Sequence, residues 1–555
     1  MRFESAHLRA ESQQIGPSWI ETLQRALPRG RSSAWIVALA AVGCAKTDAP
    51  CDRCDVLVVA ATGEPSTLVP PLIRETVGRD ITDFVFEKLA NLERGGIPSD
   101  STAFSPGLAS RWDRIDPTTW RFTLRKGATW HDGKPVTADD VLFSFAAFVD
   151  TSLGAPAGSA LTGVTVTSDA PDQVSIRFPR PYPEQLLDAS FFVRILPRHI
   201  WDSVPRGQWG ADSGLARLVG SGPFKVTEWQ RGRFLRIERI GDAKGAVREM
   251  VWRFAGDQDA ALNMLLAGEA DLLETVTNPA ARARAKEDTN LVVRPYPAAV
   301  YGYLGFRHAD AAGTPHPVLA DRGMRRALAA AIDRASLIAA VLGPEAVVPS
   351  GPTSRALWLW SDQAATRPDT ALANRLLDSL GWVRGAGQVR ARGSRRLVVD
   401  ILVPATSGIR RGLAQGIQEM WRVIGIDATV TAVDFPVFLE RLNQGKFDAM
   451  IGAFLDEPSP RGLARAWGRA GWGPQNQVRY ANPVFDSLAA AALAATNVDA
   501  ARTAWHKAIE QLNNDVAAVF LYTPTNVAIM RERVASLEID PFSWLGEARD
   551  WRIPR

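Results

Sequence analysis

The histidines and carboxylates of this sequence are the residues that could support catalysis or metal binding. The six histidines stand at positions 7, 131, 199, 308, 316 and 506, outside any HExxH motif and without metal-ligand spacing. No GxSxG motif marks a nucleophilic serine. Asp456 and Glu457 are neighbours in a proline-containing loop, whereas a glycosidase needs two carboxylates about 5 to 10 Å apart. We therefore predict no enzymatic activity, no metal site and no cofactor.

Two short motifs could be mistaken for a phosphate-binding loop and for a metal or redox site, but the residues around them lack the pattern that such sites require. Gly220-Ser221-Gly222 lacks the Lys-Ser/Thr of a phosphate-binding loop, and a strand is predicted after it instead of a helix. Cys51 and Cys54 form a CxxC pair that could close a small disulfide in an exported protein. Zinc would need two further ligands, and a thioredoxin-like role would need a strand and a helix around the pair. We assign the pair to a tether of unknown use.

Basic residues followed by an apolar run predict an export signal near the N-terminus. Arg25, Arg29 and Arg31 precede the apolar run 34–42, and small residues then lead to Cys44. The apolar run is too short for a membrane helix, which needs about 20 residues. We predict a signal peptide over residues 1–43, a lipid-anchored tether over 44–54 and lipidation at Cys44. The alternatives are a plain signal peptide and a short buried helix.

Length and composition indicate a globular protein with more than one domain. The 555 residues exceed the size of a single core, and 46% hydrophobic with 22% charged residues is an ordinary globular composition. The formal net charge of +4 is small for this length, and no basic stripe with interleaved aromatic residues points to nucleic acid as a partner. The basic run 390–396 is predicted to be a solvated hairpin tip.

One stretch contains a complete strand, turn and helix pattern. Residues 120–124 alternate apolar and polar side chains, which predicts a half-buried strand. Asp132-Gly133 supplies a turn. Thr137 is predicted to cap a helix with Asp139 and Asp140 in its first turn, where negative charge suits the helix dipole.

This stretch resembles the signature of the family 5 extracellular solute-binding proteins, the dipeptide-, oligopeptide- and nickel-binding components of ABC importers. The matching residues are Trp112, Leu124-Arg125, Gly127, Trp130, Asp132-Gly133 and 137–141. Residues 220–224 resemble the family's Gly-x-Gly-Pro-aromatic turn. The resemblance extends from about Val56 to Trp551 and implies a protein that binds and delivers a solute.

Alternating strand and helix patterns in the C-terminal half predict a lobe with parallel strands. Strands are predicted over 397–403, 426–433 and 448–454, with a helix between each pair. Helices are also predicted over 80–92 and 321–338, where apolar residues recur at helical spacing.

The resemblance implies an α/β fold of the two-lobed periplasmic-binding-protein type II, with an extra subdomain inserted in the first lobe. The expected bounds are 55–93, 216–298 and 523–555 for lobe I, 94–215 for the inserted subdomain and 299–522 for lobe II. A ligand that contacts both lobes would favour their closure, so such a protein needs a cleft and a hinge. We expect the hinge at the crossovers near 294–303 and 519–525.

The loop after the predicted strand 448–454 differs from the peptide-binding pattern. Peptide-binding relatives carry an aspartate there that pairs with the α-amino group of the ligand. In this sequence Phe454 stands at the matching position, and a buried ammonium without a countercharge is unfavourable. A two-residue shift would give the role to Asp456; otherwise the ligand is more apolar or lacks the amine.

The resemblance places further ligand candidates on both lobes. Glu75 and Thr76 lie in a loop that faces the ligand in relatives, and Tyr303 stands at the entry to lobe II. Trp467 lies in a loop-like stretch of that lobe, and its large apolar face with one donor suits a binding cleft. A packing role is the alternative for Phe454 and for Trp467.

We therefore expect a monomeric, exported solute-binding protein, lipid-anchored in the periplasm or at the cell surface. It would bind a peptide or another small molecule and deliver it to ABC permease and ATPase subunits, with the membrane contacted through the lipid anchor. The alternatives are a non-peptide ligand on the same fold, such as a metal chelate, a sugar or an opine-like molecule, and an exported hydrolase.

Overall fold

The structure is a computed structural model that describes residues 55–555 apart from short gaps. The gaps are 156–157, 212–213, 242–245, 363–366, 386–387, 474, 543–544, 546–550, 552 and 554–555. The predicted signal peptide, the tether and its cysteines (Cys44, Cys51 and Cys54) lie outside the described residues. None of the described helices combines the length and the apolar character needed to cross a bilayer. Strands are numbered β1–β21 and helices α1–α14 along the chain.

A seven-stranded mixed sheet forms the first lobe, which we call lobe I. Its spatial order is β12-β21-β11-β1-β10-β9-β8, with β1 parallel to both β10 and β11. Its strands are β1 (Val56–Ala61), β8 (Phe224–Gln230), β9 (Phe234–Arg239), β10 (Glu249–Phe254), β11 (Leu272–Leu273), β12 (Leu291–Pro297) and β21 (Thr525–Arg531). The continuous apolar run of β1 is explained by burial on both faces, because alternate residues of this strand enter two separate cores.

A five-stranded sheet forms lobe II, in the order β18-β17-β19-β13-β20. Its strands are β13 (Val300–Phe306), β17 (Val398–Pro404), β18 (Asp427–Val433), β19 (Ala449–Leu455) and β20 (Ala518–Tyr522). β17 runs parallel to β18 and β19, as the strand and helix alternation in the sequence predicted. Leu304 and Phe306 of β13 enter the core on one face of this sheet, whereas Tyr301 and Tyr303 enter the core on the other face.

The segment between β1 and β8 contains a subdomain with its own core. A four-stranded antiparallel sheet is formed by β4 (Ala109–Asp116), β5 (Thr119–Leu124), β6 (Thr165–Ala170) and β7 (Gln173–Arg177), and β2 (Ala90–Leu92) pairs with β3 (Phe104–Pro106). The predicted strand and helix of the signature stretch are both present. Thr137 caps α2 in a capping box, in which the Asp140 carboxylate accepts from the Thr137 backbone N–H at 2.9 Å.

The helices cover the faces of the three sheets. In lobe I they are α1 (Thr76–Val85), α5 (Gln258–Leu266) and α6 (Pro279–Glu287), and in the subdomain α2 (Ala138–Val149), α3 (Gln185–Ser190) and α4 (Arg198–Trp201). In lobe II they are α7 (Arg322–Ala330), α8 (Arg334–Leu342), α9 (Thr370–Ser379), α10 (Gly408–Val423), α11 (Phe435–Gln444), α12 (Gly462–Trp467), α13 (Pro483–Ala494) and α14 (Val498–Asp515). Single 3₁₀ turns cover Pro70–Leu72, Ser101–Ala103, Gly158–Leu161, Arg206–Gln208, Leu215–Arg217, Arg469–Gly471 and Glu532–Val534. A small hairpin sheet is made of β14 (Val383–Arg384), β15 (Arg390–Arg392) and β16 (Arg395–Arg396).

Three local predictions differ from the structure. The helix expected over 80–92 is α1, which begins at Thr76 and ends at Val85, because the chain then extends to form β2. The single helix expected over 321–338 is divided into α7 and α8, since the Asp333 side chain accepts from the Ser336 backbone N–H at 3.1 Å and caps a new helix. The basic run 390–396 is a hairpin as expected, but Arg390 is only 2% exposed. Its guanidinium donates to the carbonyls of Ile424 and Trp382.

The chain passes between the two lobes at two neighbouring crossovers. β12 of lobe I leads to β13 of lobe II through Ala298 and Ala299, and β20 returns to β21 through Thr523 and Pro524. The two crossovers touch, because the Ala298 backbone N–H donates to the Pro524 carbonyl at 3.3 Å. The carboxyl ends of the parallel strands β17, β18 and β19 all face one edge of lobe II, and the loop after β19 returns from this edge to the crossovers.

Candidate ligand site

A cavity of about 230 Å³ lies at the carboxyl end of β19. In open α/β sheets, ligands bind outside the carboxyl ends of the strands, so this is the edge where a site is expected. Its lining combines apolar side chains (Tyr301, Phe454, Leu455, Leu463) with polar ones (Asp456, Glu457, Arg465, Gln475). A mainly apolar surface with a few convergent charged groups is the usual composition of a small-molecule site.

The Asp456 carboxylate is held at the cavity wall by backbone hydrogen bonds. Its Oδ2 accepts from the Ser354 backbone N–H at 2.7 Å, and its own N–H donates to the carbonyl of Ala299 in the first crossover at 2.7 Å. Burial raises the pKa of Asp456 to about 7, against the opposing effect of the hydrogen bond from Ser354. Among the described residues, Asp456 forms no ion pair. An ammonium group entering the cavity would favour the ionised carboxylate and lower this pKa.

Phe454 forms the apolar wall of the cavity and belongs to an aromatic cluster. Its ring stacks on Tyr303 with centroids 5.4 Å apart and planes inclined by 6°, and it lies 5.7 Å from the ring of Tyr301. Trp467 packs edge-on against Tyr303 at 5.2 Å and donates its indole N–H to the Tyr301 hydroxyl at 3.2 Å. Tyr303 is 2% exposed and Trp467 is fully buried, so these two support Phe454 from behind and do not line the cavity.

The cluster depends on a glycine in the neighbouring strand. The antiparallel register of β13 and β19 places Tyr303 opposite Gly452. A Cβ atom at Gly452 would lie 2.7 Å from Cζ of Tyr303, so the ring occupies the space that any larger residue would need. Gly452 therefore fixes the position of Tyr303, and through it the position of Phe454.

The loop that follows Asp456 is joined to the inserted subdomain by a buried polar network. Arg461 forms an ion pair with Asp188 of α3 at 2.5 Å, and the Ser459 hydroxyl donates to Glu184. The Tyr182 hydroxyl donates to the other oxygen of Asp188 at 2.7 Å. Burial raises the pKa of Glu184 to about 6 and also raises the pKa of Asp188. The subdomain thus contacts lobe II directly, a few residues from Asp456.

A second cavity, of about 370 Å³, lies beside this network, between the subdomain and lobe II. The subdomain contributes Arg180, Tyr182 and Glu184, and lobe II contributes Trp358, Arg465 and Trp505. Arg465 is the one residue that the linings of the two cavities have in common among the described residues.

The residues predicted from the sequence divide into three groups. Phe454 and Asp456 lie together on the lining of the first cavity, and Tyr303 and Trp467 lie behind it. Glu75 and Thr76 lie at the start of α1 in lobe I and are absent from that lining. Hydrogen bonds to the Glu75 carboxylate from Ser66 and from nearby backbone lower the pKa of Glu75, despite partial burial that acts in the opposite direction.

The residues predicted from the sequence do not include Ser354, Arg461, Glu184 or Asp188. Glu184 and Ser459 are 275 residues apart, and no local pattern indicates that they are in contact. The sequence weakly indicated that Arg461 lies near the site, because this residue follows Asp456 within one short proline-containing loop. Among the described residues, no group of three or more His, Cys, Asp or Glu side chains is arranged to hold a metal ion.

Two sheet lobes joined by paired crossovers, with a cavity at the carboxyl edge of one sheet, define a two-lobed binding protein. The model of the bacterial extracellular solute-binding proteins, family 5, matches residues 103–474, and the chain belongs to this family. Its members bind solutes, and the chain is accordingly a solute-binding protein and not an enzyme.

Relatives of similar length match along most of the chain. Protein XP55 of Streptomyces lividans is 26% identical over 530 residues, which is 93% of each chain. The oligopeptide-binding protein AppA of Bacillus subtilis is 23% identical over 532 residues, 90% of this chain and 92% of AppA.

Solved structures share the fold at low sequence identity. The AppA structure with a bound nonapeptide has a TM-score of 0.69 at 22% identity and covers 90% of this chain and 99% of AppA. A putative peptide-binding protein AppA from Clostridium difficile has a TM-score of 0.74 at 20% identity and covers 89% of this chain and 98% of that protein. These structures bear out the two-lobed fold.

Proposed function

We propose that this protein captures a peptide-like solute through its amino group, with Asp456 as the countercharge and Phe454 as an apolar wall. The observation that carries the proposal is a partly buried carboxylate on the cavity lining that forms no ion pair among the described residues. A buried charge is unfavourable unless it is paired and hydrogen-bonded. A ligand ammonium would form an ion pair with Asp456. The side chain of the same ligand residue would pack on Phe454.

The relatives support a peptide-like ligand. Bacillus subtilis AppA is named an oligopeptide-binding protein, and its structure holds a nonapeptide. The cavity of about 230 Å³ is smaller than the range of about 300–1,000 Å³ that is usual for ligand pockets. It is therefore suited to the first residue of such a ligand.

A ligand without an amino group is the second candidate, and the position of Phe454 favours it. This residue stands where peptide-binding relatives carry the aspartate for the α-amino group, and its half-exposed ring covers one wall of the cavity. Under this alternative Asp456 is protonated in the complex and donates a hydrogen bond to the ligand.

We further propose that ligand binding closes the two lobes and that the closed form delivers the solute to an ABC permease. The proposed bounds are 55–93, 216–298 and 523–555 for lobe I, 94–215 for the subdomain and 299–522 for lobe II. The paired crossovers support this assignment, because only two residues separate the strands at each of them.

Export and lipid anchoring at Cys44 belong to the same proposal. They can be tested by expressing the full chain in a bacterium with a radiolabelled fatty acid. The label should be present in the wild type and absent from C44S, whereas C51S and C54S should retain it. Labelling of C44S at the wild-type level would overturn the anchor assignment.

The ligand proposal is tested with random libraries of di- to pentapeptides. The full chain is incubated with equal amounts of a library with free N-termini and an N-acetylated library, and retained peptides are counted by mass spectrometry after gel filtration. We expect free peptides to be retained over acetylated ones by about tenfold or more, the effect of one charge-assisted interaction. D456N should lose this preference.

The matched control is E457Q, which removes the neighbouring carboxylate from the same cavity lining. It should keep the preference for free peptides. Equal retention of both libraries by the wild type would favour the second candidate. Retention of neither library would exclude peptides and point to another class of solute.

A further inference from the structure

Five arginines lie in the small hairpin sheet of lobe II, outside the proposed ligand site. They are Arg384 of β14, Arg390 and Arg392 of β15, and Arg395 and Arg396 of β16. Arg390 is buried, and the other four are exposed. The hairpin therefore presents several guanidinium groups to solvent.

Carboxylates neutralise only part of this charge. Asp378 of α9 forms an ion pair with Arg390 at 2.5 Å, and Asp427 of β18 forms one with Arg396 at 3.0 Å. The hairpin keeps an excess of three positive charges after these two pairs, whereas the formal net charge of the whole chain is only +4. The positive charge is thus concentrated on one small part of the surface.

The three remaining arginines have no carboxylate partner among the described residues. Arg384 donates to the backbone carbonyl of Val423, and the guanidinium of Arg392 lies 5.2 Å from the centroid of the Trp382 ring. Arg395 forms no ion pair within the part of the chain that the structure describes. A guanidinium in this state is well suited to phosphate, because its planar fork matches the geometry of phosphate oxygens.

The buried Arg390 fixes the hairpin to the body of lobe II. Its guanidinium donates to the carbonyl of Ile424 at 2.8 Å and to the side chain of Asn374 at 2.7 Å. The exposed arginines are therefore carried by a sheet that is held against α9 and the end of α10. Little ordering of the backbone is needed before they bind a surface, which favours binding.

Exposed valines lie beside these charges. Val383 and Arg396 both pair with Ala391, so their side chains share one face of the hairpin sheet, and Val383 is 56% exposed. Val423, whose carbonyl accepts from Arg384, is 63% exposed. Cationic and apolar side chains side by side fit the headgroup region of an anionic bilayer, where phosphate groups lie next to acyl chains.

The hairpin lies at the edge of lobe II opposite to the ligand cavity. The Leu397 backbone N–H donates to the Arg390 carbonyl, and the hairpin leads directly to the amino end of β17. The cavity lies at the carboxyl end of β19, which is parallel to β17. A strand of seven residues such as β17 is about 23 Å long, so a partner on the hairpin leaves the cavity open.

We propose that the hairpin of β14, β15 and β16 is a docking surface for an anionic membrane, with Arg384, Arg392 and Arg395 binding lipid phosphate groups. This inference rests on the proposed function only for the anchor at Cys44, which would keep the chain beside a membrane. An anchored protein that also binds through the hairpin has a fixed orientation over the bilayer.

The test measures sedimentation of the full chain with lipid vesicles in 0.1 M salt. The chain carries C44S so that no acyl chain contributes, and the vesicles contain phosphatidylcholine alone or with an equal amount of phosphatidylglycerol. R384Q/R392Q/R395Q should bind the anionic vesicles about tenfold or more weakly than the unchanged hairpin, since each arginine near an anionic surface adds roughly fivefold. The difference should vanish in 1 M NaCl, where the Debye length is about 3 Å. All variants share the same N-terminal segment, so the difference between them reports on the hairpin.

A matched control removes the same number of charges elsewhere. Arg114, Arg233 and Arg469 are exposed and form no ion pair among the described residues, and they lie in the subdomain, lobe I and lobe II. R114Q/R233Q/R469Q should bind the anionic vesicles within about threefold of the unchanged chain, because charges far from the contact are screened. An equal loss in this variant would overturn the inference, since net charge alone would then explain binding.

A second control, R384K/R392K/R395K, keeps the charge of the hairpin and should bind like the unchanged chain. A loss as large as that of the glutamine variant would show damage to the hairpin and overturn the inference. Equal binding by the glutamine variant and the unchanged chain would also overturn it. So would displacement by inorganic phosphate at an ionic strength at which NaCl displaces nothing, because the arginines would then take a free phosphate. The fatty-acid labelling experiment tests the anchor separately, so either proposal can fail while the other stands.

Discussion

Asp456 and Phe454 are two residues apart at the end of β19 and line the same cavity, yet they make opposite demands on a ligand. The carboxylate favours a cation, and the ring favours an apolar group. The N-terminal residue of a peptide offers both groups, because its ammonium and its side chain are attached to the same Cα atom. Under the proposed function, the two residues together select for the N-terminal residue of a peptide.

The first prediction concerns the pH dependence of stability at Asp456. Its pKa is raised from 3.8 to about 7 in the folded chain, so its contribution is favourable at low pH and is lost as pH rises from about 4 to 7. D456N does not titrate. We therefore expect D456N to gain stability relative to the wild type between pH 5 and pH 8, by on the order of 2 kcal/mol. Urea unfolding at the two pH values measures this difference.

E457Q is the control for this comparison, because Glu457 is exposed. The free energy of unfolding of E457Q relative to the wild type should change little between the two pH values. A constant difference between D456N and the wild type would mean that the carboxylate is well solvated. Asp456 would then need no ligand cation.

The second prediction concerns Gly452. In G452A the new Cβ would lie 2.7 Å from Cζ of Tyr303, so the tyrosine must move and Phe454 with it. We expect a loss of about 1–3 kcal/mol in the free energy of unfolding, as for other overpacked cores. The near-ultraviolet circular dichroism of the cluster should also change. G256A is the control, since no heavy atom lies within 4 Å of a Cβ there. Equal stability of G452A and G256A would contradict the prediction.

At the scale of elements, α3 and the loop after β19 are held together by the ion pair of Asp188 and Arg461. Asp188 is 2% exposed, and the Arg461 side chain is 14% exposed. Removing one partner of a buried pair leaves the other charge uncompensated, which typically destabilises a protein by about 3–5 kcal/mol. The third prediction is a loss of this order for R461M, measured by urea unfolding at pH 8.

Two further measurements separate this effect from simple loss of packing. At pH 5 the loss in R461M should be smaller, because Glu184 and Asp188 have raised pKa values and take up protons more readily. The double variant R461M/D188L should recover part of the stability, since replacing both partners by apolar groups is often neutral. An R461M loss that is the same at both pH values and persists in the double variant would contradict the electrostatic explanation.

Elements specified by local sequence could be predicted well. β5 alternates apolar and polar residues, and Thr137 and Asp140 form their capping box within one turn, so both depend on neighbouring residues alone. The break between α7 and α8 was missed, because Asp333 stands inside an apolar pattern that continues on both sides. The burial of Arg390 was missed as well, since its acceptors come from residues outside the hairpin.

The candidate site could be predicted only in part, for a related reason. The family resemblance drew attention to Phe454 and Asp456 because both belong to one short motif. Two contacts of the site depend on how distant segments pack. They are the ion pair of Arg461 with Asp188 and the hydrogen bond from the Ser354 backbone N–H to the Asp456 carboxylate. No periodicity or spacing in the sequence encodes such contacts.

At the scale of the whole molecule, the two lobes have separate cores and share two short crossovers. The fourth prediction is that a peptide retained in the library experiment will stabilise the full chain and compact it. At 100 times its dissociation constant it should add about 2.7 kcal/mol to the free energy of unfolding. Small-angle scattering should show a smaller radius of gyration with the peptide, and D456N should show neither effect at the same peptide concentration. Stabilisation without compaction would mean that the ligand binds to one lobe only.

The position of β21 has a consequence for the order in which the chain folds. β21 lies inside the lobe I sheet, between the edge strand β12 and β11, although it is close to the C-terminal end of the sequence. All five strands of the lobe II sheet precede it along the chain, so lobe II can assemble while lobe I still has a gap between β12 and β11. A chain that emerges from an export channel with its N-terminus first would therefore complete its first lobe last. Until then the unpaired edges of β11 and β12 are open to pairing with other chains, and a nascent chain stopped before Thr525 should aggregate more readily than the full-length protein.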